Sequence, residues 1–338
     1  MSWLEKCLQR YKPIVDDWDA FMHACQMPLP RAIWHNPLKA SADDVRRLVA
    51  ARVPEAQIIP WQTLAWRLPP GVKPGLWPEY RLGWIHGQEE VALWAVPLLN
   101  AQPGERVLDL CAAPGNKTAQ LAVAMQDEGL IIANERRWDR LVSLRHNLER
   151  LGVTSALITR HDAARFTWLD GTVPKTPFAL GGHGFDKVLV DVPCTCEGTT
   201  RKRNMHRRHS VDAYRKSVVQ TQKGMLRRAL ALTRPGGLVA YATCTFAPEE
   251  NEGVLNSIWP HVAEVVAMAP PAGLRISPGL AAWEGQTYRD DVRNAWRIWP
   301  HHNNSGGFFI ALLRKLPEPS HMEPATDGHS VAAGGGIS

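Results

Sequence analysis

Two cysteines in short turn-like motifs are the residues of this 338-residue chain best suited to covalent chemistry. Cys194 ends the motif Asp-Val-Pro-Cys, and Cys244 lies in Ala-Thr-Cys-Thr; each motif follows a short apolar segment. If these segments are neighbouring parallel strands, both thiols lie at the same rim of the sheet. A buried cysteine is usually just a small hydrophobic residue. Two cysteines at strand ends, in turns of a chain without a disulfide pattern, indicate reactive thiols instead.

A turn of small residues, LDLCAAPGNKT, precedes a predicted helix. Ala112, Ala113 and Gly115 let the backbone approach a ligand closely, and the helix N-terminus offers free N–H groups. The turn matches neither G-x-G-x-x-G nor a P-loop, which argues against a nicotinamide oxidoreductase and against a triphosphate site. The turn alone could be an ordinary strand-to-helix connection.

Several consecutive predicted strands end in an acidic residue. An acid at the end of the second strand can accept hydrogen bonds from ribose hydroxyls, and an acid after the third could reach an adenine amino group. One such acid is more often a helix cap or a solvated loop residue, but the series favours a cofactor that contains a nucleoside. Its members are Asp109, Glu135, Asp162 and Asp191.

Strands and helices alternate from about residue 105, which predicts an α/β fold with a mostly parallel, doubly wound sheet. The predicted strands are Arg106–Leu110, Leu130–Asn134, Ala156–Thr159, Lys187–Val190, Gly237–Ala242 and Gly307–Leu313. The predicted helices are Thr118–Met125, a helix through Leu151, and Val211–Leu232.

The first hundred residues differ from this pattern. Ala32–Trp34 and Ile58–Leu68 are predicted strands, with a helix at Ala42–Ala51 between them. We therefore predict a small α+β subdomain at 1–95, a larger α/β domain at 96–316, and a disordered tail at 317–338 that is rich in Pro, Gly, Ser and Ala.

Composition and charge narrow the class of protein. Hydrophobic residues make up 45% of the chain and the net charge is +6, which allows a packed core and favours polyanionic partners. No apolar run is long enough to span a bilayer and the N-terminus lacks the apolar stretch of a signal peptide, so we expect a cytoplasmic protein without a membrane partner. None of the six cysteines forms a CxxC pair, so no metal is expected.

One basic segment could hold the phosphates of a polyanionic partner near the site, and the alternative is a solvated charged loop. Residues 201–209 contain five Arg or Lys and two His without an acid. The candidate phosphate-binding residues are Arg201, Lys202, Arg203, Arg207 and Arg208.

The chain resembles the RsmB/Nop/Sun family of RNA cytosine-5 methyltransferases over roughly residues 30–315. The matching pieces are HNPLK, GWIHGQEEVALWAV, LDLCAAPGNKT, NERRWDRLVSLRHNLERLG, the Asp162 region, DKVLVDVPCTCEGTTRK, RPGGLVAYATCTFAPEENE and GGFFIALLRK. Two positions depart from the family pattern: Asn116 replaces a usual Gly, and Cys196 replaces a usual Gly or Ser.

The resemblance implies that residues 96–316 form a catalytic domain with a Rossmann-like class I methyltransferase sheet, that the subdomain at 1–95 is RNA-binding-like, and that S-adenosylmethionine is the cofactor. It implies that Cys244 adds to carbon 6 of cytosine, which activates carbon 5, and that Cys194 assists release of the product. Asp191 would contact the base edge, and Lys117 would orient the base or the acid. A thiol with this role needs an electropositive setting. The residues expected to hold the cofactor are Cys111, Ala112, Ala113, Pro114, Gly115, Asn116, Lys117, Glu135, Arg140, Asp162 and Asp191.

Two other activities remain as alternatives. A DNA cytosine-5 methyltransferase shares the chemistry but uses the Pro-Cys thiol as nucleophile and does not need the Thr-Cys motif. A noncatalytic RNA-binding module would not need the cysteine pair. We expect an RNA enzyme that acts as a monomer on a single-stranded or flipped-out cytosine, with ribosomal RNA favoured over transfer RNA.

Overall fold

The computed structural model describes residues 3–167, 184–202 and 211–317, and a nine-stranded sheet forms their centre. Its strands are β5 (Arg106–Asp109), β6 (Leu130–Asn134), β7 (Ala156–Thr159), β8 (Phe185–Asp191), β9 (Thr233–Thr243), β10 (Ala263–Val265), β11 (Ser277–Pro278), β14 (Trp296–Ile298) and β15 (Phe308–Lys315). They lie in the order β11-β14-β15-β9-β8-β5-β6-β7, with β10 paired to β15.

The strands from β5 to β9 are parallel to their neighbours, whereas β15 runs antiparallel to β9. Every residue of Leu130–Asn134 is buried, as expected for a strand covered on both faces. The helices that connect and cover these strands are α5 (Asn116–Ala124), α6 (Trp138–Leu151), α7 (Val211–Leu232), α8 (Glu252–Leu255) and α9 (Pro300–Asn303). This confirms the predicted α/β sheet.

A separate antiparallel sheet precedes the main one in the chain. Its strands are β1 (Arg31–His35), β2 (Gln57–Ile59), β3 (Gln62–Leu68) and β4 (Ile85–Gly87), with α3 (Ala42–Arg52) and α4 (Pro78–Arg81) alongside. The strand order is β2-β3-β1-β4. Ser41 caps α3 by accepting a hydrogen bond from the backbone N–H of Asp44 at 3.1 Å. The predicted strand at 58–68 is two strands in the structure, because a turn at Pro60–Trp61 reverses the chain.

The first two helices, α1 (Trp3–Leu8) and α2 (Trp18–Gln26), pack with the main sheet, and their residues share its hydrophobic core. Phe21 meets Phe246 edge-on with ring centroids 5.3 Å apart, and Trp299 at 5.8 Å. Residues 3–26 therefore belong structurally with the main sheet, and the expected boundary at residue 95 stays a prediction. None of α1, α2, β10 and β14 was predicted from the sequence. Three of these, α1, β10 and β14, have six residues or fewer, whereas α2 has apolar residues at helical spacing that were overlooked: Trp18, Phe21, Met22 and Cys25.

Within the described ranges, no helix is long and apolar enough to cross a membrane. The predicted tail lies outside the described residues from 318 onward. A short hairpin, β12 (Ala282–Trp283) and β13 (Gln286–Thr287), completes the strands of the described part.

A buried ion pair joins β14 to α8 at the edge of the sheet. The Arg297 guanidinium donates to both carboxylate oxygens of Glu252, each at 2.6 Å, and to the carbonyl of Phe246 at 2.9 Å. Both charged side chains are at least 97% buried. Their geometry is bidentate, so each charge is compensated by the other.

We predict that Glu252→Ala destabilises the fold by about 3–5 kcal/mol, because it leaves the Arg297 guanidinium buried without its counter-ion. Urea unfolding followed by circular dichroism measures this change. Arg145→Ala is the control, since the Arg145–Glu149 pair is exposed and its loss should not shift the midpoint measurably. Equal midpoints for the two variants would contradict the expectation.

Candidate active site

The two predicted thiols lie at the same rim of the sheet. Strands β8 and β9 pair in parallel with Asp191 opposite Ala242, so the turns after both strands begin at the same level. The sulfur atoms of Cys194 and Cys244 are 3.4 Å apart. This distance confirms that the thiols share one rim. Cys194 is buried, whereas Cys244 is partly exposed and is the thiol that can meet a ligand.

A third thiol stands beside this pair. Cys196 has a left-handed backbone conformation, φ 59°, and its sulfur lies 3.8 Å from that of Cys194. A Gly, the residue usual at this position in the family, adopts this conformation without strain. The three sulfurs lie within 4.8 Å of one another, so the lack of CxxC spacing does not test metal binding, and the no-metal expectation stays a prediction.

A close backbone contact joins the Cys194 turn to the last strand. The N–H of Gly198 donates to the carbonyl of Cys244 at 2.9 Å, and the N–H of Gly307 donates to the carbonyl of Gly198 at 2.8 Å. A Cβ at Gly198 would lie 2.4 Å from the Gly307 oxygen, so only glycine permits this approach. The contact ties both thiol-bearing turns to residues just before β15.

Lys117 and Asp191 form an ion pair at the carboxyl end of β8. The Lys117 Nζ lies 2.6 Å from an Asp191 carboxylate oxygen. Burial acts to lower the pKa of Lys117, but the Asp191 charge and hydrogen bond raise it, and the net shift is upward. Lys117 is therefore a fixed cation beside the acid expected to contact the base.

These residues line a cavity of about 220 Å³ at the carboxyl ends of the strands. The walls include most of the predicted cofactor turn together with Lys117, Asp191 and Cys244. Residues from outside that turn complete the cavity. The lining is Leu29, Gln88, Glu89, Ala92, Asp109, Cys111, Ala112, Ala113, Pro114, Asn116, Lys117, Asp191, Gly198, Thr199, Lys202, Cys244, Gly306, Gly307 and Phe308.

Sequence reasoning missed the part of this wall that Glu89 holds together. Its carboxylate accepts hydrogen bonds from the N–H groups of Ala92 and Gly306, at 3.1 and 2.9 Å. Gly306 and Phe308 come from the end of the chain, whereas Glu89 follows β4. The signal was present in the segments GWIHGQEE and GGFFIALL, which were recognised as family motifs without a role in the site.

Asp109 is a buried acid at the base of the cavity. The Thr118 hydroxyl donates to it at 2.7 Å. Burial raises the pKa of Asp109 to about 7, and the charge of Asp191 adds to the rise. A cation that entered the cavity would lower this pKa by favouring the carboxylate.

Two features shape the turn after β5. Gly115 has φ +104°, a conformation that favours glycine, and a Cβ there would lie 3.1 Å from a methyl carbon of Leu144. Asn116 accepts a hydrogen bond from Nε2 of His86 at 2.8 Å, since the Arg150 guanidinium donates to Nδ1 of the same ring at 2.6 Å. Burial and the nearby Arg150 charge lower the pKa of His86 to about 4. The departure at Asn116 therefore connects the turn to the N-terminal sheet.

Four predicted cofactor residues lie outside the cavity lining. Besides Gly115, Glu135 is buried and forms an ion pair with Arg140 at 3.0 Å, and the Arg140 guanidinium also donates to the carbonyl of Ala113. Asp162 caps the short helix that follows β7 by accepting from the N–H of Ala164 at 3.0 Å. In the structure, Glu135 and Arg140 hold the turn in place; contact of any of the four with a bound cofactor stays a prediction.

The basic segment divides in two. Arg201 is only 6% exposed, and its guanidinium donates to the carbonyls of Met27, Pro28 and Ser305 and to the side chain of Asn304. The prediction that Arg201 holds phosphate is wrong for this conformation, because all these donors point into the protein. Lys202 is exposed and lines the cavity, whereas Arg203, Arg207 and Arg208 lie outside the described residues.

The parallel sheet, with a ligand-sized cavity at the carboxyl ends of its strands, has the architecture of a class I methyltransferase, as the similar solved structures show. A solved structure of a methyltransferase homolog protein from Pyrococcus horikoshii superposes with a TM-score of 0.74 and 29% identity, and covers 94% of this chain and 100% of the other. A family model described as 16S rRNA methyltransferase RsmB/F matches residues 96–314. The chain therefore belongs to the RsmB/F family and is an S-adenosylmethionine-dependent RNA cytosine-5 methyltransferase.

Two relatives show the range of substrates around this family. A tRNA (cytosine(49)-C(5))-methyltransferase of Pyrococcus abyssi is 34% identical, over 92% of this chain and 96% of the relative. A ribosomal RNA small subunit methyltransferase F of Erwinia tasmaniensis is 31% identical over 93% of this chain. The chain spans 64% of that second relative's length.

We predict that Gly115→Ala weakens S-adenosylmethionine binding at least about tenfold, because the turn must shift away from Leu144. Titration calorimetry measures the change. Gly285→Ala is the matched control, since Gly285 also has positive φ, +81°, but has open space around its Cβ direction. A loss of affinity as large in Gly285→Ala would show that global destabilisation, not the shape of the turn, is responsible.

Proposed function

We propose that this protein transfers a methyl group to carbon 5 of a cytosine in RNA through a covalent bond between Cys244 and carbon 6 of the base. The observation that carries the proposal is the sulfur pair. Cys244 lies on the cavity wall and Cys194 lies behind it, 3.4 Å away. When bound, S-adenosylmethionine supplies the methyl group; the cavity offers it two carboxylates, Asp109 and Asp191, and the backbone of Ala112–Ala113. That donor set suits a ligand with a cationic sulfonium.

The thiols have complementary tasks. As Cys244 forms the S–C6 bond, its proton passes to N3 of the base, and the electron pair placed at carbon 5 bonds to the methyl carbon while the methyl–sulfur bond of the donor breaks and leaves its electron pair on the donor sulfur. The proton on carbon 5 then leaves to solvent, its electron pair re-forms the 5,6 double bond, the S–C6 bond breaks with its electron pair on the Cys244 sulfur, and N3 gives up its proton. Cys194 lies within reach to return a proton to the leaving Cys244 sulfur. Asp191, held by Lys117, faces the same cavity and stabilises the protonated base edge.

The resting Cys244 is a thiol. The hydrogen bond with Cys194 lowers its pKa, but the bond with Cys196, burial and the Asp191 charge raise it, and the net shift is well upward. The protein groups around Cys244 therefore do not by themselves provide the electropositive setting expected from the sequence. A cationic cofactor in the same cavity would lower the pKa of this thiol, so we propose that methyl-donor binding precedes activation of the nucleophile.

RNA reaches the thiol through a larger groove that adjoins the cavity. This groove has a volume of about 1430 Å³ and shares Leu29, Gln88, Glu89 and Lys202 with the cavity wall. Arg31 and Lys73 also line it. A cytosine can enter only when it is unpaired or flipped out, and phosphates of the flanking strand would contact the basic side chains.

Ribosomal RNA is our first proposed substrate, because the matching family model carries that description. Transfer RNA is the second candidate, since the Pyrococcus abyssi relative is matched over 96% of its length. A noncatalytic RNA-binding module explains neither the thiol contact nor the Lys117–Asp191 pair. A DNA-type mechanism would make Cys194 the nucleophile, but Cys194 lies behind Cys244 and is only 3% exposed.

We predict that Cys244→Ala abolishes transfer of tritiated methyl groups from S-adenosylmethionine to RNA, since it removes the only proposed nucleophile. Cys194→Ala should accumulate a covalent protein–RNA adduct, because release of Cys244 slows. Cys7→Ala is the control; this thiol lies in α1, outside the cavity lining, and its loss should leave labelling unchanged.

The assay uses separate pools of unmodified ribosomal and transfer RNA, with the labelled nucleoside identified after digestion. Retained activity in Cys244→Ala, together with none in Cys194→Ala, would transfer the nucleophile to Cys194. Labelling of one pool and not the other identifies the substrate class. Labelling of neither pool by the wild type would contradict the proposed substrates.

We predict that Lys202→Ala weakens RNA binding and reduces the slope of log affinity against log salt by about one, because one phosphate contact is lost. Fluorescence anisotropy with a labelled RNA at several salt concentrations measures both quantities. Arg145→Ala removes a cation that lines neither the cavity nor the groove and should leave the slope unchanged. An unchanged slope in Lys202→Ala would remove this residue from the RNA path.

A further inference from the structure

A chain of hydrogen bonds runs directly behind the two thiols. Thr195 follows Cys194 and Thr245 follows Cys244 in the sequence. The two threonine hydroxyl oxygens are 2.7 Å apart, so the turns that carry the thiols are connected at this point. The spacing of the sulfurs therefore depends on this pair of side chains as well as on the sheet register.

A buried carboxyl group stands at each end of the threonine pair. An oxygen of Glu250, Oε1, lies 2.6 Å from the Thr195 hydroxyl, and an oxygen of Glu197 lies 3.0 Å from the Thr245 hydroxyl. Glu250 has no exposed surface, and Glu197 is 9% exposed. The four side chains form one continuous line of oxygen-to-oxygen contacts.

The number of protons in this line decides its charge. Three oxygen-to-oxygen contacts need three bridging protons, and the two hydroxyls of Thr195 and Thr245 supply only two. If both carboxyl groups were ionised, one contact at hydrogen-bond distance would join two oxygens without a proton between them. One carboxyl group must therefore carry the third proton.

The Glu197 end of the line has no position for the third proton. The Arg215 guanidinium donates to one Glu197 oxygen at 2.9 Å, and the Tyr11 and Thr245 hydroxyls donate to the other. Both Glu197 oxygens are therefore already acceptors, which leaves Glu250 to carry the proton.

Glu250 has a different environment. Its second oxygen, Oε2, accepts from the Thr195 N–H at 3.0 Å and from the Gln222 side-chain amide at 2.9 Å, which leaves Oε1 free to carry a proton. Burial raises the pKa of Glu250 to about 7, and the charge of Glu197 adds to the rise. Besides Glu197, Tyr241 is a titratable group that faces Glu250, and its hydroxyl donates to the Glu250 carbonyl at 2.6 Å.

We propose that Glu250 is a positioning residue that acts as a neutral carboxylic acid: it donates to Thr195, Thr195 donates to Thr245, and Thr245 donates to Glu197. This directed chain holds the turns after β8 and β9 at the separation that the two thiols need. The assignment of tasks to the thiols rests on the proposed function above. The proton on Glu250 follows from the oxygen contacts together with the burial of the group, whichever thiol is the nucleophile.

A glutamine at position 250 reproduces the proposed pattern. Its amide N–H donates to the Thr195 hydroxyl, and its carbonyl accepts from the Thr195 N–H and from Gln222. A leucine removes all three bonds and leaves these polar groups buried without partners. The two substitutions therefore separate the need for a proton donor from the need for a negative charge.

The experiment compares single-turnover methyl transfer by wild type, Glu250→Gln, Glu250→Leu and the neighbouring control Glu249→Gln between pH 6 and 9. At pH 6 we expect Glu250→Gln to stay within about threefold of wild type and Glu250→Leu to lose at least about tenfold. The ratio of Glu250→Gln to wild type should rise as the pH passes about 7, because only the wild type loses the proton there. The ratio cancels the pH dependence of the thiols, which both proteins share.

A second readout does not depend on catalysis. A carboxyl group whose folded pKa lies above its unfolded value of about 4.3 stabilises the fold fully below that value, and the stabilisation is lost as the pH rises through the folded pKa. The Tm of wild type should therefore fall relative to that of Glu250→Gln between pH 5 and 8. The Tm difference between wild type and Glu249→Gln is the control and should not follow this course.

The outcomes separate the two proposals. If Glu250→Gln loses as much activity at pH 6 as Glu250→Leu, or if its Tm difference from wild type does not change with pH, the protonated Glu250 is refuted. If Cys244→Ala stays active while the Tm difference follows the expected course, the thiol assignment fails and the proton on Glu250 stands. Should Glu250→Leu fail to fold, the comparison of Glu250→Gln with wild type still decides the matter.

Discussion

The parallel pairing of β8 with β9 is the constraint on which the arrangement of the site depends. Because Asp191 lies opposite Ala242, the turns that follow the two strands start side by side. A shift of one residue would turn every side chain of one strand to the other face. The Thr195–Thr245 contact and the glycine at 198 then fix the turns themselves. Backbone register and two local contacts together bring the sulfurs to 3.4 Å.

Burial acts on charge in two ways around this rim. Asp109 and Glu250 are carboxyl groups that lose most of their hydration, so their pKa rises to about 7. Glu252 is equally buried but has Arg297 as a bidentate partner. Acids that can change protonation therefore lie at or behind the cavity, whereas the fully compensated Arg297–Glu252 pair lies between β14 and α8. Lys117 is a charged residue of the cavity wall that also has a partner, because it pairs with Asp191.

Local sequence patterns predicted the framework and the thiol rim because both depend on short-range signals. The strand Leu130–Asn134 begins with four apolar residues and ends just before an acid, and the structure has the same bounds. The error at Arg201 has a different origin, because a basic run does not reveal which of its members finds buried carbonyl acceptors 100 or more residues away. The wall formed by Glu89 and Phe308 was missed for the same reason. Contacts between distant segments leave no periodic trace in either segment.

The position of β15 has a consequence for how the protein is made. This strand inserts between β14 and β9, and Gly306, Gly307 and Phe308 next to it form part of the cavity wall. Because translation runs from the N-terminus, both cysteines are added to the chain before these residues. While the chain grows, the thiols therefore precede the wall that shelters them, and the methyl-donor cavity closes only with the last strand of the sheet. Catalytic competence arrives late in translation, after the reactive groups themselves are in place.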